Sequence, residues 1–447
     1  MSRRPERVST LNDSTRPSAP CVHSDVTCTL CGCVCDDLTI TVGDNRVSAS
    51  VPACALADPW FAQQSSYADA VVARVAGQST DLSTALAAAI DLLRKSRAPL
   101  IYGLSRSSTP GQRAAVQLAD LLGANIDTTA STCHAPSIMA VQSVGESTAT
   151  LGEIKNRCDL VIYWGSDPLV SHPRHMERFV DATGHDIPLG RRDRHVVVVD
   201  IEDTATSRVA DTFLRVQPGG DFELIWALRA AVRGISIPER AYGGIAWAHI
   251  AQLAQRMRTC RYGVVFFGLG LTRRGIAHAN VEALLRLVTD TNAYARFAAR
   301  RMRIPGDVAG ADSVLAWQTG YPFSVNLARG YPRYNPGEYS ANQLLERREV
   351  DLVLLVGSEG FAQLSSAAQR TLLTLPTIVL DYPTATCPWQ PNVHFTTAIY
   401  GIHRPGTAYR MDEVPIPLRA IIKSELPADH EVLEAMWERF KCLVFSV

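Results

Sequence analysis

The chain has no surplus of charge of either sign: lysine plus arginine and aspartate plus glutamate both total 44 among 447 residues. No nucleic-acid partner is therefore implied, because binding a polyanion calls for a basic face or stripe. Nor is there an apolar run of membrane-spanning length, which argues against a membrane partner. Beyond its first residues the sequence holds no repeat and no low-complexity segment. The opening MSRRPERVSTLNDSTRPSAP is polar and lacks the apolar core of a signal peptide, so residues 1–24 read as a disordered lead. The 11 cysteines are not spaced as a secreted disulfide framework, and five of them crowd positions 21–35. That usage favours a reducing compartment, the cytoplasm. With 47% hydrophobic and 20% charged residues, what remains is an ordinary globular chain long enough for two or three domains.

Among those cysteines lies the first chemical pattern. Cys28, Cys31 and Cys35 are separated by short loops and Cys54 follows at a distance. Loops of two and three residues fold three sulfurs around one face of an iron–sulfur cluster, and a turn after a hairpin returns the fourth. Zinc is the competing metal, although its usual pattern is two short Cys/His pairs across a longer gap. Metal-free thiols are the third reading. Cys33 is left over, or exchanges register with a neighbour. A small β-hairpin domain over residues 25–65 is expected to carry the set, with Leu38 to Val42 alternating and Gly43-Asp44-Asn45 turning.

Further on, apolar β-branched runs alternate with helical patterns, the sequence form of parallel sheets covered by helices. Strands are expected at 99–103, 160–165, 196–201, 264–268, 352–357 and 377–382, mostly apolar throughout as in strands buried on both faces. Helices are expected over Asp81 to Leu93 and Asp221 to Val232. Several strands end on glycine, which places ligands at their carboxyl ends. The run Trp317 to Tyr339, rich in proline and aromatics, reads as a fixed irregular loop that packs layers together or lines a cavity or subunit contact.

Thr132-Cys133-His134-Ala135-Pro136-Ser137 sets a thiol beside an imidazole, after a strand and turn and before a helix. Such a thiolate suits a soft metal held elsewhere, and the histidine suits proton movement. Taken alone, the pair reads more readily as a small buried hydrophobe and a satisfied histidine. Adjacent residues point apart, which argues against a nucleophile–base dyad.

Together the two cysteine motifs resemble the molybdopterin oxidoreductases, and more closely the B subunit of formylmethanofuran dehydrogenase and of the bacterial formyltransferase/hydrolase complex. The resemblance extends through LGEIKNR (151–157), DLVIYWGSDPLVSHPRH (159–175), FGLGLT (267–272) and WQTGYPFSVNLARGYPRYNPGEYS (317–340). It implies an α/β fold: a small N-terminal iron–sulfur-type β domain, then two Rossmann-like parallel-sheet domains of the molybdopterin oxidoreductase type, one formed by 66–132 with 306–447 and one by 133–305. It implies that Cys28, Cys31, Cys35 and Cys54 hold a 4Fe-4S cluster and that Cys133 ligates molybdenum or tungsten, with His134 and Arg303 beside that metal. It also implies a molybdopterin guanine dinucleotide at a strand-end site formed by Gly165, Ser166, Asp167, Ser171, His172 and Asp200. The implied function is interconversion of formyl groups, formate and carbon dioxide on a furan carrier linked to tetrahydromethanopterin. The implied partners are an amidohydrolase-like A subunit, a C-type subunit and a formyltransferase subunit. The alternative reading is a catalytically silent scaffold within a formyltransferase/hydrolase complex. Two positions depart from the family: Leu56, where a basic residue and glycine commonly bridge cluster and pterin, and Ile304-Pro305.

Overall fold

A computed structural model describes residues 19–273, 276–304 and 306–445. Most of the expected lead, and Pro305, lie outside the described residues. The lead's expected end at residue 24 is corrected, because Cys21–Val26 forms a strand. It pairs antiparallel with Leu38–Gly43, which pairs in turn with Arg46–Val51. Polar and apolar residues mix along this edge strand, so its sequence carries little period-2 signal. In the middle strand Leu38, Ile40 and Val42 are buried and their neighbours less so, the alternation that an antiparallel sheet packed on one face requires. Asp44 and Asn45 both take left-handed backbone, φ 50° and 56°, as a two-residue hairpin turn demands.

A five-stranded sheet follows, in the order Thr212–Arg215, His195–Asp200, Leu160–Trp164, Tyr262–Phe267, Arg296–Arg301, every pair parallel. This is the doubly wound order, in which the connections reverse direction between Leu160–Trp164 and Tyr262–Phe267 and open a crevice at their carboxyl ends. Both strands are buried throughout.

The larger sheet has nine strands. Its parallel centre runs Asn125–Thr128, Pro99–Gly103, Leu352–Val356, Thr377–Asp381, Val393–Thr396. Short antiparallel strands extend both edges, Val325–Asn326 and Arg333–Tyr334 on one side and Ala73–Val75 and Gln78–Thr80 on the other. The first of these edges lies within the expected loop 317–339, where Tyr321 stacks on Tyr334 at 5.0 Å. All six expected strands form, each within two residues of its expected ends. So do the two helices: Leu82–Lys95, capped by Asp81 accepting from the Thr84 N–H at 3.0 Å, and Asp221–Val232. Among the described residues no helix is long and apolar enough to cross a membrane.

Two stretches cross between the sheets. Outward, the strand Asn125–Thr128 gives way to a turn at Thr129–Thr132 and then to helix Ala135–Val144, which packs along helix Ala277–Thr291. On the return, strand Arg296–Arg301 leads through residues 302–304 toward helix Val308–Thr319, against helix Thr109–Leu122.

Candidate functional site

Both crossings pass through one point. Cys133 ends the outward turn, buried, with its Sγ 3.4 Å from the Thr129 carbonyl. Burial pushes its thiol up to about 11, with the Arg303 charge pulling against that rise. Arg303, on the return, is 2% exposed and ion-paired with Asp312. Asp312 also accepts from the Thr128 hydroxyl at 2.7 Å, so one carboxylate pins the two crossings to each other. Among the described residues the Arg303 Nε has no partner. The His134 Nε2–H donates to the Met302 carbonyl at 3.2 Å. Burial, then the charges of Arg303 and Arg301, hold its pKa well below the usual range, so the ring is neutral.

Beside this point lies the crevice of the five-stranded sheet. Two cavities of about 150 and 160 Å³ share Gly165 as a wall, one reaching Asp200, Glu202 and Asp221 and the other His134, Ser166 and Ser171. Gly165 has φ 56°, and a side-chain carbon on Gly270 would stand 2.7 Å from its Cα. The two strand ends therefore meet backbone to backbone, an arrangement suited to close approach of a ligand. Among the described residues the Ser166 hydroxyl is buried without a partner. Asp167 is already engaged, accepting from the Ala205 and Thr206 N–H groups at 3.0 and 3.1 Å and shaping that turn. Asp200 accepts from the Ile201 N–H at 2.7 Å, and burial raises its pKa. His172 lies behind the crevice, fully buried: its Nε2–H donates to the Arg303 carbonyl at 2.9 Å, its Nδ1 meets Ser171 at 2.8 Å, and burial lowers its pKa to about 4.

The cysteine loop presses on the same backbone. The Gly32 N–H donates to the Arg303 carbonyl at 3.2 Å, and a side-chain carbon on Gly32 would collide with that oxygen. Gly306 packs as closely on Thr29. Cys28, Cys31 and Cys35 are buried and Cys54 half-buried. The four thiols feel one another: burial, and then the charges of Cys31, Cys35 and Cys54, push Cys28 far up. Cys33 is the remaining thiol, fully buried and hydrogen-bonded to Cys31, whose pKa that bond lowers. Among the described residues no three His, Cys, Asp or Glu side chains converge as around a single metal ion. Cations surround the loop: Arg174 is bidentate to Asp37 at 2.7 and 2.8 Å, and Arg178 pairs with Asp36 at 2.6 Å.

No protein-family profile matches the chain. It is 38% identical over 430 residues to the B subunit of the tungsten-containing formylmethanofuran dehydrogenase 2 of Methanocaldococcus jannaschii, covering 94% of this chain and 99% of that one. The chain belongs to the family of formylmethanofuran dehydrogenase B subunits. Among solved structures it superposes with TM-score 0.70, at 23% identity, on a chain of the formyltransferase/hydrolase complex FhcABCD from Methylorubrum extorquens, determined with methylofuran, over 83% of this chain and 98% of that one. Acetylene hydratase from Pelobacter acetylenicus shares the fold at TM-score 0.66 and 12% identity, over 94% of this chain and 69% of that one.

Within this formylmethanofuran dehydrogenase fold, the sequence-derived residues fall in three adjoining places: Cys133, His134 and Arg303 at the crossing, the Gly165 to Asp200 set at the crevice, and the cysteines in the loop between the sheets. Two partners escaped sequence reading. Asp312, nine residues beyond Arg303, has no motif around it. Arg106 comes from the larger sheet, where its Nη1 donates to the Thr29 carbonyl at 3.3 Å and its charge lowers Cys31. Leu56 is 41% exposed and carries no charge toward the cysteines, so the positive charge beside the loop comes from later in the chain, from Arg106, Arg174 and Arg178.

Proposed function

We propose that this chain is the redox subunit of a complex interconverting carbon dioxide, formate and formyl groups on a furan carrier linked to tetrahydromethanopterin. One observation carries the reading: a buried thiol, a neutral histidine and a buried arginine converge where the nucleotide-type crevice meets the cysteine loop. The residues suit the implied groups. Cys133 would ligate molybdenum or tungsten, and metal coordination would remove the proton that burial now holds on its sulfur. Ser166, with its unpartnered hydroxyl, the backbone at Gly165 and Gly268, and the carboxylate of Asp200 would hold a molybdopterin guanine dinucleotide. Cys28, Cys31, Cys35 and Cys54 would hold a 4Fe-4S cluster. Bound there, the pterin metal supplies two-electron chemistry and the cluster carries single electrons.

The chain's own contribution is positioning and exclusion. Arg303 is fixed by Asp312 and keeps further N–H groups to orient a carboxylate, the planar geometry a guanidinium matches best. His134 holds its proton at Nε2 on a backbone carbonyl, so it presents no cation against Arg303. Burial keeps water from the crossing and strengthens each of these interactions. An amidohydrolase-like A subunit, a C-type subunit and a formyltransferase subunit are the proposed neighbours, in the cytoplasm.

Iron, acid-labile sulfide, molybdenum and tungsten in the anaerobically purified complex, with paramagnetic resonance after reduction, test the reading. About four irons per chain together with a pterin metal are expected, and Cys133→Ala should abolish formate oxidation. Absence of both metals from a complex that still transfers and hydrolyses formyl groups would instead make the chain a silent scaffold.

A further inference from the structure

Two buried imidazoles hold the return crossing at two successive carbonyls. The Met302 N–H still donates to the Phe267 carbonyl at 2.9 Å, as the last bond to the five-stranded sheet. Beyond it, His134 takes the Met302 carbonyl at 3.2 Å and His172 takes the Arg303 carbonyl at 2.9 Å. His134 follows the outward turn, whereas His172 follows the short helix Pro168–Ser171 beyond strand Leu160–Trp164. The irregular stretch that carries Arg303 is thus gripped from both crossings' surroundings at once.

The bond from His172 exceeds what the Arg303 carbonyl needs to be satisfied. The Gly32 N–H already donates to that oxygen at 3.2 Å, and the Gly32 carbonyl in turn accepts from the Met411 N–H at 2.8 Å. What an imidazole adds is rigidity. The ring is fully buried, turns on two bonds only, and meets the Ser171 hydroxyl at Nδ1 at 2.8 Å. Burial keeps it neutral with a single N–H, and a carbonyl at Nε2 fixes the proton there. Ser171 lines the cavity of about 160 Å³ together with His134, Met302 and Ile304, while the ring of His172 reaches past that wall to the backbone behind it.

We propose that His172 is a positioning residue for Arg303. Asp312 holds the guanidinium end of that side chain and His172 holds its backbone end, so the direction of the remaining N–H groups is set from both. The cysteine loop is registered to the same carbonyl through Gly32. This inference rests on the reading of Arg303 as the group that orients the substrate carboxylate, and it assigns His172 to that residue and not to the pterin nucleotide.

Three variants of the intact complex test it. Glutamine brings an N–H to the place of the imidazole Nε2, asparagine brings one only as far as Nδ1, and phenylalanine keeps the ring without a donor. His172→Asn and His172→Phe should each raise KM for formate about tenfold, with a smaller fall in kcat, because a misplaced arginine weakens carboxylate binding. His172→Gln should restore most of that loss, and guanine nucleotide, iron and pterin metal per chain should match the parent in all three. Hydrogen–deuterium exchange gives a second readout that needs no turnover: the Gly32 amide should exchange faster in the asparagine and phenylalanine variants and at the parental rate in the glutamine variant. Equal behaviour of the asparagine and glutamine variants would overturn the proposal, and so would loss of guanine nucleotide from either, which marks a nucleotide contact. Should the phenylalanine variant fail to assemble, the contrast between the two amides still decides. A parent complex that oxidises no formate counts against the redox function, and the exchange contrast then upholds or overturns the anchoring by itself.

Discussion

Arg106 is one of three arginines, with Arg174 and Arg178, that bring to the cysteine loop the charge the sequence does not place after Cys54. Glu359, beside it at 4.0 Å, is raised to about 7 by burial and held down by Arg106, so the guanidinium serves a carboxylate and a cysteine loop at once. Removing a positive charge next to a cluster makes electron uptake harder. For the proposed 4Fe-4S cluster, Arg106→Gln is therefore expected to move the reduction potential to a more negative value at unchanged iron content, read by a redox titration followed by paramagnetic resonance. A potential equal to that of the parent would show that Arg106 only ties the Thr29 backbone. Cys133 and the four loop cysteines stand out in the sequence as candidate ligands because few residue types bind soft metals. Asp312 and Arg106 do not, since aspartate and arginine are common on any surface and only the fold brings these two inward.

Elements of the two sheets were readable to the degree that their strands are apolar. Leu160–Trp164 and Leu352–Val356 are buried at every position and announce themselves. Arg296–Arg301 does not, because it ends in two arginines, yet both are buried and ion-paired from far away: Arg300 with Glu413 at 2.8 Å, Arg301 with Glu413 at 3.0 Å and Glu146 at 3.3 Å. Asn125–Thr128 hides for the same reason, since Asp127 accepts from the Ser324 and Ala341 N–H groups at 2.9 and 2.7 Å. The cysteine loop depends on a contact of equal subtlety. Gly32 lies against the Arg303 carbonyl with no room for a side chain, and backbone on both sides leaves nothing flexible to give way. Gly32→Ala should therefore lift the loop and cost most of the iron of the proposed 4Fe-4S cluster, while circular dichroism of the sheets changes little. Full iron retention would mean that the loop accommodates the added carbon by sliding.

At the scale of the whole molecule, several buried histidines make folding sensitive to acid. His172 and His175 are fully buried, and burial lowers them to about 4 and about 3. Each stays neutral in the native state while its unfolded counterpart takes a proton below about 6.5. The stability they contribute is thus complete above that pH and is lost as pH falls toward the folded values, by about 1.4 kcal/mol per unit for each histidine. Among the described residues both ring nitrogens of His175 lack partners, and its ring packs edge-on to Phe266 at 4.7 Å, so His175→Phe removes a titrating group without removing a hydrogen bond. The variant should lose stability less steeply between pH 6 and pH 5 in urea unfolding, and parallel slopes would mean that water reaches the native ring. Finally, the pinning of both crossings by Asp312 has a mechanical consequence. If the two sheets turn relative to each other, the axis passes through the place where the chain goes out and comes back. Cys133 and Arg303 would then move least of all, while the far rims of the crevices swing widest, so large ligands could enter and leave without disturbing the reacting geometry.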